Sequence, residues 1–93
     1  MTRTAAVIVT HDSGGVLPAC LDSLGNQSRL PDRVCIVDSG SGDTAYLDSV
    51  DATLHPDIVR SRENIGFARA NNLGWQQVRR DADCILFLNP DTI

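Results

Sequence analysis

The sequence predicts an α/β fold built on a parallel sheet. Four short apolar runs recur along the chain, and the first, second and fourth end in breaks rich in Gly, Pro, Asp or Ser. The first two runs are apolar at consecutive positions rather than alternate ones, as suits strands covered on both faces. Segments with apolar residues at helical spacing lie between the runs, giving the order βαβαβαβ and with it a doubly wound sheet.

The first strand is Thr-Ala-Ala-Val-Ile-Val-Thr at residues 4–10, ended by His11, Asp12, Ser13, Gly14 and Gly15. A helix over residues 15–26 follows, with Leu17, Cys20, Leu21 and Leu24 at helical spacing. Pro18 fits only its first turn, and Asp12 or Ser13 is placed to cap it. Residues 33–37, Arg-Val-Cys-Ile-Val, read as the second strand, ended by Asp38-Ser-Gly-Ser-Gly-Asp43. A short helix over residues 44–50 is expected next, capped by Asp43. Ile58 and Val59 form a short third strand after Pro56. The second long helix spans residues 66–80, with Phe67, Ala70, Leu73, Gly74 and Val78 towards the sheet and Trp75 half exposed. Gly74 costs a helix about 1 kcal/mol relative to Ala, a cost that close helix–sheet contact explains. Residues 84–88, Cys-Ile-Leu-Phe-Leu, are the fourth strand, ended by Asn89-Pro90-Asp91. Cys20, Cys35 and Cys84 all lie in apolar runs and are expected in the core.

Length and composition narrow the function. Ninety-three residues, 42% apolar and 22% charged, suit one small globular domain. The net charge is −4, no lysine is present, and the longest basic run is Arg79-Arg80. No basic patch is evident, which argues against a nucleic-acid module. No apolar run approaches the roughly 20 residues of a membrane span, and no signal-peptide pattern opens the chain. Three widely spaced cysteines suggest neither a disulfide framework nor a zinc knuckle, so a reducing cytoplasmic setting is expected. Asn26-Gln27-Ser28 fits a glycosylation sequon, which goes unused in that setting.

A parallel sheet gathers the polar strand ends on one rim, where ligands of such sheets bind. Thr10, His11 and Asp12 end strand one, Asp38, Ser39 and Gly40 end strand two, and Asn89 and Asp91 end strand four. The helix after Asn64-Ile65-Gly66 turns its N-terminus to the same rim, with Arg62 just before it, and free N–H groups there suit an anion. Carboxylates for a hard divalent cation and donors for phosphate point to a nucleoside diphosphate with its metal. A Walker loop is excluded by the missing lysine, and no G-x-G-x-x-G follows strand one.

Five segments then carry a family resemblance. They are Val-Ile-Val-Thr-His-Asp-Ser at 7–13, Cys-Leu-Asp-Ser-Leu at 20–24, Val-Cys-Ile-Val-Asp-Ser-Gly-Ser-Gly-Asp at 34–43, Glu-Asn-Ile-Gly-Phe-Ala-Arg-Ala-Asn-Asn-Leu-Gly at 63–74 and Ile-Leu-Phe-Leu-Asn-Pro-Asp-Thr at 85–92. In this order they resemble the N-terminal, nucleotide-binding half of family 2 glycosyltransferases of the GT-A fold. The fourth and fifth segments are most similar to the rhamnosyltransferase-like branch.

The resemblance implies a Rossmann-like GT-A half domain, mainly parallel, with strand order 3-2-1-4 and helices on both faces. It implies a sugar transferase of the hexosyltransferase type, acting with inversion in polysaccharide or cell-wall synthesis. The donor would be a dTDP- or UDP-linked sugar and the acceptor a glycan or lipid-linked hydroxyl. Thr10 and His11 would lie along base and ribose, Asp38 on the pyrimidine, and Arg62, Asn64, Asn71 and Asn89 around the nucleotide. Asp91 would hold Mg²⁺ or Mn²⁺, and Asn89 stands where the family's D-x-D motif has its first carboxylate. Plainer readings stand beside these: Asp38 and Asp91 as turn residues, and Arg62 as an ordinary surface arginine.

The resemblance fills residues 1–93 and leaves no room for an acceptor half, so the general base is expected beyond Ile93. The chain is thus expected to be a truncated donor half, binding nucleotide without turnover, cytoplasmic or at the inner membrane face within a longer protein. A non-catalytic α/β nucleotide-binding module is the alternative. Strand four would be an apolar edge, which predicts self-association.

Overall fold

Four strands form one parallel sheet in a computed structural model that describes residues 3–12, 15–26, 30–42, 47 and 56–88. They are β1 (Thr4–Thr10), β2 (Arg33–Ser39), β3 (Asp57–Ser61) and β4 (Cys84–Leu88), in the order β3-β2-β1-β4. All three pairings are parallel. The order matches the expected 3-2-1-4, and the third strand is longer than its two apolar residues foretold.

The continuous apolar runs are explained by the two layers that cover them. Helix α1 (Leu17–Gly25) packs Leu17, Cys20, Leu21 and Leu24 against Ala6, Ile8, Val34 and Ile36 on one face. Helix α2 (Phe67–Val78) packs Ala70 and Val78 against Ala5, Val7, Val9, Cys35 and Val37 on the other. Neighbouring residues of β1 and β2 therefore feed different cores, and each fully buried Val, Leu or Ile contributes about 1.5–3 kcal/mol. Pro18 sits in the first turn of α1, as its missing N–H requires. Gly74 lets α2 lie close to the sheet: a Cβ there would come within 2.3 Å of Val7 Cγ1 and 3.2 Å of Val37 Cγ2.

The edge opposite the rim is tied by charge and backbone. The Arg33 guanidinium bonds both Asp57 at the start of β3 and Asp81 before β4. Thr4 N–H donates to Asp32 Oδ2 at 2.7 Å, and Arg3 N–H to Asp83 Oδ2 at 3.0 Å.

Three expectations are corrected. Phe67 is 52% exposed, because it opens α2 at the carboxyl edge, where less sheet lies beneath it. Cys84 is exposed too, because β4 has one neighbour, β1, among the described residues. Asp12 does not cap α1, which starts from Val16 without a side-chain cap bond. The expected helix over residues 44–50 and its cap Asp43 lie outside the described residues, apart from a buried Leu47 in the α1-side core. Among the described residues no helix is long and apolar enough to cross a membrane.

The cysteines make a direct test of this packing. Burial raises the Cys20 thiol, and burial together with the nearby Asp57 charge pushes Cys35 up to about 11. Iodoacetamide at neutral pH is therefore expected to add one adduct to the native chain, on Cys84, and three after denaturation, read by mass spectrometry. Two or three adducts on the native chain would contradict the closed core.

Candidate functional site

At the carboxyl edge, β1 and β2 end in register, with Thr10 opposite Asp38. Both residues are fully buried, although polar, and each answers the other: Thr10 Oγ1 donates to Asp38 Oδ1 at 2.8 Å. Ser41 closes over the same carboxylate, donating its hydroxyl to Oδ1 at 2.5 Å and its N–H to Oδ2 at 3.2 Å. A buried carboxylate needs several donors of this kind. Asp38 therefore fixes the turn after β2 as well as standing at the rim.

Asp12 reverses the chain after β1 with φ 49°, a left-handed conformation that Asp tolerates better than most residues. Its N–H donates to Ser41 Oγ at 2.7 Å, and its Oδ1 accepts the Gly42 N–H at 2.7 Å. The two turns thus hold each other across the tips of β1 and β2. His11 completes the junction: its Nδ1 lies 2.6 Å from the Ser39 carbonyl. A carbonyl can only accept, so Nδ1 carries the proton. The His11 Nε2 lies 3.5 Å from Asp12 Oδ2, and the ring is about half exposed at the rim.

Ser39 joins this junction to the start of α2. Its hydroxyl accepts the Ile65 N–H at 2.9 Å and donates to Asn64 Oδ1 at 3.2 Å. Asn64 Oδ1 also accepts the Gly66 N–H at 3.0 Å. Both bonds end on the oxygen, so the amide's NH₂ end is turned away from them and Asn64 itself is exposed. Gly40 makes the meeting possible. It has φ 65°, and a Cβ there would lie 2.4 Å from the Asn64 nitrogen and 2.6 Å from the Glu63 carbonyl carbon.

Helix α2 begins at this point with Gly66 as its N-cap, no side-chain cap bond and no acidic residue in its first turn. The N–H groups of its first turn therefore open on the rim without an intrahelical partner. Asn71 lies one turn further in, and its Oδ1 is shielded from solvent without a hydrogen-bond partner. A buried acceptor left so costs about 1–3 kcal/mol. Arg62 is exposed in the turn between β3 and α2.

Of the expected site residues, Thr10, His11, Asp38 and Asn64 meet at one junction, with Arg62 exposed in the turn that leads to Asn64 and Asn71 on the adjoining helix. Asn89 and Asp91 lie outside the described residues. Among the described residues no cluster of three or more His, Cys, Asp or Glu is arranged to hold a metal ion. Two contributors were not singled out in the sequence, Ser41 and the linking role of Ser39. Their only signal is position, a serine on either side of a glycine directly after a buried strand.

Comparison with known proteins agrees with this geometry. The profile of the family described as Glycosyl transferase family 2 matches residues 5–93. The chain is 28% identical over 91 residues to the O-antigen chain rhamnosyltransferase RfbN of Salmonella typhimurium strain LT2, covering 98% of this chain and 29% of that protein. The chain thus spans under a third of the length of the curated relative it matches. With the family profile running from β1 to the last residue, over a parallel sheet whose polar rim carries the matching motifs, the chain belongs to glycosyl transferase family 2.

Proposed function

We propose that this chain is the nucleotide-sugar-binding part of an inverting glycosyltransferase that passes a sugar, rhamnose or a close relative, from a pyrimidine nucleoside diphosphate to a glycan or lipid-linked hydroxyl. The observation that carries the reading is the fixed orientation of Asn64. Its oxygen is committed to Ser39 and Gly66, so its NH₂ end is offered to an acceptor. The uncapped first turn of α2 adds N–H donors beside it, and Arg62 adds a charge. Phosphate oxygens are acceptor-only and anionic, which suits all three. His11 would then lie along ribose and base, with Thr10 and Asp38, both fully buried, beneath them and reached by the base only if Ser41 moves aside. Asn71, and Asn89 on the strength of its motif, would contact the nucleotide as well. The buried, unpartnered Asn71 oxygen would be satisfied by a donor from the ligand or a water.

A divalent cation, Mg²⁺ or Mn²⁺, belongs to this reading. The described carboxylates at the rim do not supply its cage, because Asp38 and Asp12 are engaged with Thr10, Ser41 and Gly42. Its ligand would be Asp91, with Asn89 near it. When bound, the cation would offset the charge of the departing diphosphate. The acceptor site and the general base would lie in further sequence, consistent with the 29% of the rhamnosyltransferase that this chain covers. In this reading the protein works in the cytoplasm. Self-association through β4 is part of the reading as well, supported by exposed Leu86 and Phe87 on a strand that has one neighbour among the described residues.

Calorimetry with UDP and dTDP, with and without Mn²⁺, tests the proposal. The expected result is binding that depends on Mn²⁺ and that Asp91→Ala weakens about tenfold or more, roughly 1.4 kcal/mol. Equal binding by both proteins would remove Asp91 from the site. Purine diphosphates binding as well as pyrimidine ones would remove the base assignment.

A further inference from the structure

The cationic groups are not spread evenly along the chain. Five of its eight arginines and one of its twelve acidic residues fall between positions 60 and 80, in a chain whose net charge is −4. No long basic run reveals this, because Arg60 and Arg62 lie in and just after β3, Arg69 in the first turn of α2, and Arg79 and Arg80 at its C-terminal end. Helix α2 buries Ala70, Gly74 and Val78 towards the sheet. At 100° per residue, Arg69, Asn72, Gln76 and Arg79 fall on the opposite side, and all four are exposed, as is Arg80. That side carries no acidic residue. Trp75 stands at its margin, 41% exposed, with the Arg79 guanidinium 5.6 Å from its ring centre.

Helix electrostatics do not account for the set. Arg79 and Arg80 suit the negative C-terminal end of α2, but Arg69 lies near the positive N-terminal end, where a cation is disfavoured. Nor are these arginines neutralised by the acids that follow them in sequence. Asp81 is held by Arg33, and Asp83 accepts the Arg3 N–H, both at the amino edge of the sheet.

We propose that the outer side of α2 docks on an anionic lipid surface. Arg69, Arg79 and Arg80 meet the headgroups, and Trp75 sits at headgroup level with its ring partly in the apolar boundary. Basic groups flanking an exposed Trp are the chemistry of such interfaces. The net negative charge of the remainder turns the rest of the molecule away from the same surface, which gives the contact a direction. The face is too narrow, and the whole chain too acidic, to favour a nucleic acid. This inference does not depend on the nucleotide reading, since it rests on side chains of the outer side of α2, whereas the rim uses only the backbone N–H groups of that helix's first turn.

Vesicle co-sedimentation of the 93-residue chain tests it. Vesicles of phosphatidylcholine with an equal part of phosphatidylglycerol are expected to bind it on the order of a hundredfold more tightly than phosphatidylcholine alone. High salt should abolish the difference. The combined variant Arg69→Gln, Arg79→Gln, Arg80→Gln should lose the anionic preference, and Trp75→Ala should weaken binding severalfold. All four positions are exposed, and unchanged circular dichroism would verify folding. Equal binding to neutral and anionic vesicles, no binding to either, or full binding by the triple variant overturns the proposal. So does retention of duplex DNA by this face without vesicle binding.

Discussion

Replacing Gly40 by alanine is expected to cost about 3 kcal/mol or more and to lower Tm on the order of 15 °C. Two separate effects add. The residue holds φ 65°, a left-handed conformation that costs an L side chain about 1–2 kcal/mol. The new methyl would also lie 2.4 Å from the Asn64 nitrogen and 2.6 Å from the Glu63 carbonyl carbon. Those are backbone atoms, which cannot rotate aside as a side-chain tip can, so the turn after β3 must shift. Overpacking of this kind typically costs a further 1–3 kcal/mol or so. Because the same turn carries Asn64 into its bonds with Ser39 and Gly66, the proposed nucleotide binding should fall along with stability. Thermal denaturation and calorimetry on the same sample check both. A variant with unchanged Tm would mean that the turn yields freely.

Asp38→Ala is expected to be the other severe change, costing about 3 kcal/mol. It strands the Thr10 hydroxyl, itself fully buried, and both donors of Ser41. Water has little access to replace the lost acceptor. Asp38→Asn separates the structural role from the ligand role. It keeps the shape and one acceptor oxygen but sets an NH₂ group against a donor, so about 1–2 kcal/mol is expected from it. On the proposed function, Asp38→Asn also weakens pyrimidine nucleotide binding in a protein that remains folded. Wild-type affinity in that variant would leave Asp38 as a scaffold residue alone.

The sheet was legible because its central strands are simple. Residues 5–9 and 34–37 are apolar without alternation, and α1 and α2 cover both faces as that pattern requires. The fourth run, residues 84–88, reads the same way, yet Cys84, Leu86 and Phe87 are exposed. Apolar content identifies a strand but does not tell whether anything lies against it. Phe67 differs for a related reason: helical spacing gives the side of a helix, not how far the sheet extends beneath it.

The site was legible in kind and less so in wiring. Asp38, Asn64, Thr10 and His11 carry recognisable motifs, and the parallel sheet brings them together. Asp12 read locally as a helix cap, whereas its partner is the Gly42 N–H, thirty residues away. Ser39 links His11 to Asn64 and Ile65 through one hydroxyl and one carbonyl. Such a link depends on three separate segments meeting, and no spacing within any one of them encodes it.

Gly74 has a consequence that reaches the rim. Its missing side chain sets the height of α2 above Val7 and Val37. The open N–H groups of that helix begin at Phe67, seven residues earlier, or about 10 Å along the axis. A rigid helix raised at one turn tilts or lifts at the other, so the elevation of the amides proposed to meet phosphate is gauged by a contact in the middle of the core. On the proposed function, affinity at the rim is therefore tunable from the middle of the core, through the thickness of one methyl group.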